Sequence, residues 1–149
     1  MRIAFDLDNT LIQCGHEFPL EELAHPLLAR FVTHERLRAG TRALFRFCHE
    51  QGHETWIYTS SLRPAGQIRR TFSLHGIRLH GIVNQATHES RVRSPATKYP
   101  PAFGIDVLID YSPGVAVEGD RHGFPVILIE PHMVSWVADI KSKLIAIHV

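Results

Sequence analysis

Five short apolar segments, separated by longer stretches of different character, constrain the fold of this sequence more than any other feature. They lie at residues 2–6, 55–59, 81–83, 107–109 and 125–129. Short continuous apolar runs are typical of strands buried on both faces. Strands that alternate with helices run parallel, because each helical crossover returns the chain to the same edge of the sheet. The sequence therefore predicts an α/β fold with a mostly parallel five-stranded sheet between two helical layers.

Helical spacing of apolar residues predicts the elements between these strands. Helices are expected over 20–33, from 41 to a stop at Gly52, over 64–74 with a stop at Gly76, and over 133–147. The first of them belongs to an insert at about 12–40. Residues 85–97 are polar and basic and are interpreted as a loop, and a Pro- and Gly-bounded segment separates the last two strands.

Composition limits the classes of function. With 149 residues and 44% hydrophobic content, the chain is expected to form one domain over 1–149. Sixteen Lys and Arg against fifteen Asp and Glu give a net charge of +1, so no global field favours nucleic acid or membrane. Cys14 and Cys48 are interpreted as free thiols. No secretion signal or membrane span is recognised, which predicts a cytoplasmic protein without a membrane partner.

Polar residues follow or precede the predicted strands at positions that should converge. Asp6 and Asp8 follow the first strand, Thr59 ends the second, Lys98 precedes the fourth and Asp110 ends it. The carboxyl ends of parallel strands meet at one edge of a sheet, and ligands bind there near the switch in strand order. The spacing therefore predicts one site that contains all five side chains.

The motifs around these residues resemble those of the haloacid dehalogenase-like superfamily, whose phosphatases use an aspartate nucleophile. Residues 5–11, Phe-Asp-Leu-Asp-Asn-Thr-Leu, resemble its first motif, and residues 57–60, Ile-Tyr-Thr-Ser, resemble its second. Lys98 stands where the third motif is expected, and residues 107–110, Val-Leu-Ile-Asp, resemble the acidic fourth. The resemblance spans residues 2 to about 130. It implies a Rossmann-like three-layer sandwich with a minimal cap formed by the insert.

The resemblance also implies a role for each residue. Asp6 would be the nucleophile that forms an aspartyl-phosphate, and Asp8 would protonate the leaving group and then activate water. The Thr59 hydroxyl and the amide of Ser60 would bind the phosphoryl oxygens, and Lys98 would neutralise their charge. These roles describe a phosphomonoester hydrolase.

A magnesium ion is the expected cofactor, since carboxylates and a phosphate dianion would otherwise repel each other. By resemblance, its protein ligands would be the carboxylates of Asp6 and Asp110 and the backbone carbonyl of Asp8. Many members of the superfamily carry a second acidic residue after the fourth-motif aspartate, where this chain has Tyr111. Glu118 or Asp120 could supply a carboxylate from the following segment.

Other interpretations stay open. A noncatalytic module that binds a phosphorylated ligand or a protein would explain Tyr111. A nucleic-acid end phosphatase would explain the basic loop with Arg91 and Arg93, although the near-neutral charge does not favour a nucleic-acid partner. The small insert predicts an open site unless a second copy of the chain, in a homo-oligomer, covers it. The phosphorylated substrate is left undetermined.

Two further patterns concern metal and phosphate binding. His49-Glu50-Gln51-Gly52-His53 matches a zinc-protease motif, but Gly52 should end the helix and make the two imidazoles diverge. Arg63, just after the second motif, could contact the substrate phosphate.

Overall fold

A five-stranded parallel sheet forms the centre of the protein, in a computed structural model that describes residues 1–23, 27 and 35–148. The strands are β1 (Arg2–Phe5), β2 (Glu54–Tyr58), β3 (Gly81–Val83), β4 (Val107–Asp110) and β5 (Val126–Leu128). Their order is β3-β2-β1-β4-β5, and all four neighbouring pairs are parallel. The predicted Rossmann-like α/β sandwich is therefore confirmed, and no strand bound differs from its prediction by more than one residue.

Helices cover both faces of this sheet. The described residues form α1 (Thr41–Glu50), α2 (Ala65–Leu74), α3 (Gln85–Arg91), α4 (Pro113–His122) and α5 (Trp136–His148), with a 3-10 helix at Pro100–Phe103. The larger apolar cluster joins one face of the sheet to α1, α2 and α5, through residues such as Phe45, Phe72 and Ile140. The smaller cluster joins the other face to Phe103 of the 3-10 helix and Val115 of α4. Two apolar layers make the sandwich three layers deep.

The interpretation of residues 85–97 as a loop is wrong for the first half of that segment. Residues 85–91 form α3, and the side chain of Asn84 caps it by accepting the amide hydrogen of Thr87 at 3.0 Å. His88 is the one buried residue of this helix. A helix that buries so little has no apolar periodicity, so the capping asparagine was its main signal.

Helix α4 was also missed, between the last two strands. It contains Pro113, Gly114 and Gly119, which lower its intrinsic helix propensity. Gly119 is needed for close packing, since a Cβ at this position would stand 2.7 Å from the Phe124 carbonyl oxygen. The glycine that obscures the helix in the sequence therefore lets it approach β5.

The predicted helix over 20–33 lies largely outside the described residues. Its start is not at Leu20, which forms an antiparallel bridge with Arg38. Leu27 is described and is 76% exposed. Glu21 accepts the backbone amide hydrogens of Gly40 and Arg42, at 3.2 and 2.9 Å, and so caps the N-terminus of α1 from the insert.

The zinc-like pattern diverges as expected. α1 ends at Glu50, the His49 ring contacts the Thr55 hydroxyl at 2.8 Å, and the His53 ring lies beside the N-terminus. Cys14 and Cys48 are free thiols, as predicted. None of the helices in the described part of the chain is long and apolar enough to cross a membrane.

Candidate active site at the carboxyl edge of the sheet

The polar residues predicted to converge lie along the carboxyl edge of the sheet. Asp6 is the first residue after β1, Thr59 is the first after β2, and Asp110 is the last of β4. The chain passes from β1 to β2 and β3 on one side and then to β4 and β5 on the other. β1 and β4 therefore border the switch in strand order, where open α/β sheets bind ligands.

Lys98 joins the two buried aspartates of this edge. Its ammonium donates to Asp6 Oδ1 at 2.6 Å and to Asp110 Oδ2 at 2.7 Å. The side chains of Lys98, Asp6 and Asp110 are 4%, 7% and 1% exposed, so the cluster is almost dry. One ammonium between two carboxylates leaves one negative charge uncompensated.

The pKa values in this cluster follow from burial and shared charge. Burial raises the pKa of Asp6 to about 6; the Lys98 charge opposes this rise, and the Asp110 charge adds to it. Burial would by itself lower the pKa of Lys98, but the charges and hydrogen bonds of the two aspartates outweigh it and raise the pKa. Lys98 is therefore a permanent cation in the neutral pH range.

A tight loop after β1 orients Asp6. The backbone amides of Leu11 and Ile12 both donate to the Leu7 carbonyl at 2.9 Å, which folds residues 7–12 back on themselves. This fold places the Thr10 hydroxyl 2.7 Å from Asp6 Oδ2, to which it donates. Asn9 takes the left-handed conformation at the turn, with φ of 63°. Thr10 had no assigned role, although its place four residues after Asp6 within the first motif was a usable signal.

Asp8 lies at the same edge but in a different electrostatic setting. Arg63 Nη1 donates to Asp8 Oδ2 at 3.0 Å, and Nη2 lies 2.9 Å from Oδ1 without forming a hydrogen bond to it. The same guanidinium donates through Nε and Nη2 to both oxygens of Glu35, at 3.0 and 2.9 Å. Burial by itself would lower the pKa of Arg63, but the hydrogen bonds and charges of Asp8 and Glu35 outweigh it and raise the pKa. Arg63 thus links the predicted acid–base residue to the end of the insert.

Thr59 and Ser60 differ in exposure. Thr59 is buried, and its hydroxyl accepts the backbone amide hydrogen of Ser61 at 3.1 Å. A hydroxyl that accepts one bond can still donate its own hydrogen. Ser60 is exposed and lines a groove beside the site. In the part of the chain that the structure describes, neither residue hydrogen-bonds to the Asp6, Lys98 and Asp110 cluster.

A buried hydrogen-bond chain holds the segment that delivers Lys98. The Tyr58 hydroxyl accepts the backbone amide hydrogen of Tyr99 at 2.9 Å and lies 2.6 Å from His88 Nδ1. Burial lowers the pKa of His88, which favours a neutral ring that accepts the tyrosine hydrogen. Strand β2, helix α3 and the residue after Lys98 are therefore fixed to one another. Sequence analysis assigned no role to Tyr58 or His88.

The donor chemistry of this edge fits a hard divalent cation, although the described residues do not form a ready cage for one. Asp6 and Asp110 offer carboxylate oxygens, and Asp8 offers a backbone carbonyl, the types that magnesium prefers. Within the described ranges, no group of three or more His, Cys, Asp or Glu side chains is arranged to hold a metal. With two carboxylates, an ion would depend on water and substrate oxygens for its remaining ligands.

Three residues after Asp110 bear on how many carboxylates a metal ion could reach. Tyr111 replaces the usual second acidic residue, and Glu118 and Asp120 are the acidic residues that follow. The hydroxyl of Tyr111 lies 3.5 Å from Asn9 Nδ2. Glu118 accepts hydrogen bonds from the backbone amide and hydroxyl of Thr97, the latter at 2.7 Å. Asp120 is exposed on α4. Glu118 thus supports the segment that precedes Lys98.

Comparisons with known proteins support the fold and nothing finer. No protein-family model and no curated protein matches this sequence. A chain of the solved Pnkp1/Rnl/Hen1 complex is similar to it, with a TM-score of 0.59 and 14% sequence identity. The match covers 89% of this chain and 47% of that chain, so this chain spans about half the length of its structural neighbour. At this identity the likeness concerns the α/β fold alone, and the chemistry must be argued from the site.

Proposed function

We propose that this chain is a magnesium-dependent phosphomonoester hydrolase of the haloacid dehalogenase-like type, with Asp6 as nucleophile. The observation that carries the proposal is the buried cluster in which Lys98 bridges Asp6 and Asp110 at the switch in strand order. Burial of three charged groups is costly, and a structural role alone would be served as well by apolar residues. Titratable groups perturbed by burial and by each other are typical of catalytic sites.

The nucleophilic step uses Asp6. A carboxylate oxygen of Asp6 attacks phosphorus, a bond forms between them, and the bond from phosphorus to the leaving oxygen breaks. The hydroxyl of Thr10 and the ammonium of Lys98 hold the carboxylate in a single orientation. This preorganisation is the contribution expected of a site that works by positioning.

Asp8 serves both halves of the reaction as acid and base. It gives a proton to the leaving alkoxide, and then takes one from the water that attacks phosphorus of the aspartyl-phosphate. The second attack breaks the bond between phosphorus and the Asp6 oxygen, which releases inorganic phosphate. Arg63 donates two hydrogen bonds to Glu35, through Nε and Nη2, and a third to Asp8 through Nη1. The bond to Asp8 can therefore break while the two bonds to Glu35 hold the guanidinium in position.

Magnesium, when bound by Asp6, Asp110 and the Asp8 carbonyl, would supply positive charge against the phosphoryl oxygens. The Thr59 hydroxyl and the Ser60 amide would bind the same oxygens, and the insert at about 12–40 would form a small cap. These roles follow the motif resemblance. They agree with the uncompensated negative charge that the Asp6, Lys98 and Asp110 cluster carries.

Two variants separate the proposed roles of the aspartates. Asp6→Asn should abolish the phosphoenzyme, because an amide is a poor nucleophile. Asp8→Asn should let phosphoenzyme accumulate from an aryl phosphate, whose leaving group departs without a proton, since dephosphorylation slows by about two to four orders of magnitude. Rapid-quench measurement with radiolabelled substrate checks both. Equal and complete loss of phosphoenzyme in two folded variants would refute the division of roles.

A third variant tests the metal. Asp110→Asn should weaken magnesium binding and slow turnover while leaving the fold intact. Asp120→Asn, at an exposed aspartate ten positions later on α4, should leave both unchanged. Titration of aryl phosphate turnover with magnesium gives the comparison. No turnover of any phosphate by the unaltered protein would instead favour the noncatalytic module.

The nucleic-acid end phosphatase is a weaker alternative. The Arg91 guanidinium packs over the Phe103 ring at 5.1 Å, and Lys98 is occupied by two carboxylates. The segment that appeared basic in the sequence therefore presents fewer free cations than its composition indicates.

A further inference from the structure

A groove opens directly beside the proposed phosphate site. It has a volume of about 650 Å³ and lies between the turn after β2, helix α3 and the segment that leads to Lys98. One wall contains Ser60 and Leu62, and the other ends at Thr97. Thr59 immediately precedes the first wall and Lys98 immediately follows the second. Both walls thus continue into residues proposed to bind the phosphoryl group.

Both walls of the groove are fixed. His88 forms part of the lining, and its bond to the Tyr58 hydroxyl ties α3 to β2. The amide hydrogen of Tyr99, bonded to the same hydroxyl, ties down the segment after the second wall. Glu118 holds Thr97 from the outside through two donors. The groove is therefore preformed, as small-molecule sites usually are.

The groove presents a negative side chain, although it lies next to the proposed phosphate site. Among the residues that line it, all of them described, Glu89 is the one carboxylate, and there is no Lys or Arg. Three arginines flank the lining residues in sequence without lining the groove: Arg63 is paired with two carboxylates, Arg91 packs over the Phe103 ring, and Arg93 is exposed between Val92 and Ser94. Leu62 is 75% exposed and adds an apolar surface at the rim. The alcohol part of a substrate seated among these residues would contact polar, apolar and negative side chains, and none of the lining residues is a Lys or Arg.

We infer that this groove is the leaving-group subsite and that it selects phosphate monoesters whose alcohol part is neutral or positively charged. A second anionic group on the substrate would face Glu89, and no Lys or Arg among the lining residues would compensate its charge. The inference rests on the proposed phosphatase function and adds the class of substrate. Two unit charges several ångströms apart near a protein surface repel enough to change an affinity by about tenfold.

A matched series of two-carbon phosphates tests this selection. O-phosphoethanolamine, ethyl phosphate and 2-phosphoglycolate differ mainly in the charge of the leaving group, which is positive, neutral and negative. We expect kcat/KM to be about tenfold lower for 2-phosphoglycolate than for O-phosphoethanolamine, with most of the difference in KM. Raising the salt concentration to 1 M should compress the ratio, because added salt screens exposed charges.

Variants of Glu89 identify the source of the selection. Glu89→Gln should reduce the ratio between the two charged substrates, and Glu89→Lys should reverse it. Glu50→Gln is the control, since Glu50 is an exposed carboxylate at the end of α1 and lies outside the groove. Its ratio should match that of the unaltered protein.

The outcomes are separable. Equal kcat/KM for the three substrates, or a ratio that the Glu89 variants do not change, would overturn the subsite while leaving the hydrolase intact. Absence of turnover for all three and for an aryl phosphate, with magnesium present, would overturn the proposed function and the subsite together.

Discussion

Replacing Lys98 by Met is the sharpest stability test of the buried cluster. Methionine keeps the length and the apolar stem of lysine, but it removes the ammonium that contacts Asp6 and Asp110 at 2.6 and 2.7 Å. Two carboxylates that are 7% and 1% exposed would then lie side by side without a cation. Removing one partner of a buried ion pair typically costs about 3–5 kcal/mol. Against a total stability of about 5–15 kcal/mol, this is a large fraction.

Urea unfolding at pH 7 without metal measures the loss. With an m-value of about 2 kcal/mol/M, the midpoint should fall by about 1.5–2.5 M. Lys143→Met is the matched control, since Lys143 contacts Asp139 at the same 2.7 Å but is 46% exposed. Removal of an exposed pair of this kind changes stability by about 0–1 kcal/mol. The ion-pair distance is nearly the same, so the comparison shows the effect of burial together with that of the second carboxylate at Lys98.

Neutralising the aspartates should rescue the Lys98 variant. Lys98→Met combined with Asp6→Asn and Asp110→Asn leaves no uncompensated buried charge, and its stability should recover most of the loss. Lowering the pH should also narrow the difference in unfolding free energy between Lys98→Met and the unaltered protein. The carboxylates of Asp6 and Asp110, which lack a cation in the variant, then bind protons. A Lys98→Met protein that unfolds no earlier than Lys143→Met would refute the reasoning, and so would a triple variant no more stable than the single one.

Three further predictions concern the scaffold. Tyr58→Phe should destabilise the fold by about 1–3 kcal/mol in urea, because it leaves two buried groups unpaired, whereas Tyr111→Phe, with its hydroxyl 3.5 Å from its partner, should cost less than about 0.5 kcal/mol. Gly81→Ala should lower the thermal midpoint, since a Cβ would overlap the tryptophan ring on β2, while Gly66→Ala on α2 meets open space and should not lower it. Burial lowers the pKa of His75, so its contribution to stability is complete above its unfolded pKa of about 6.5 and is lost as pH falls through the lower folded value. His75→Gln should therefore flatten the decline in urea stability between pH 7.5 and pH 5, and an unchanged slope would contradict this assignment.

The sheet and the position of the site were predictable from sequence because both depend on short-range patterns. Buried parallel strands are continuous apolar runs, and the carboxyl edge follows from strand direction alone. Asp6, Thr59 and Asp110 therefore lie along one edge, as the spacing predicted. Lys98 reaches the cluster from a loop rather than from a strand end, so strand direction does not predict its place. The order of the motifs along the chain indicated this lysine instead.

The parts that sequence analysis missed depend on contacts between distant residues. The pairing of Arg63 with Asp8 and Glu35 joins three segments, and no local pattern indicates which carboxylates an arginine will meet. The bond between Tyr58 and His88 spans thirty positions in the chain. Helix α3 was missed for a different reason, because a helix with one buried residue shows no apolar periodicity in its sequence.

The charge balance at the carboxyl edge of the sheet bears on the proposed binding of magnesium. Arg63 is shared between Asp8 and Glu35, and Lys98 compensates only one of Asp6 and Asp110, so the buried Lys98 cluster keeps one negative charge. A phosphate dianion that approached the edge would meet net repulsion in a site from which water is largely excluded. An added divalent cation would change the charge of this cluster from negative to positive and so reverse the sign of that interaction. We therefore expect magnesium and phosphate to bind with positive coupling, so that either ligand increases the affinity for the other by the same factor. Isothermal titration of magnesium with and without inorganic phosphate measures that factor, and a factor of one would show that the residual charge does not govern binding.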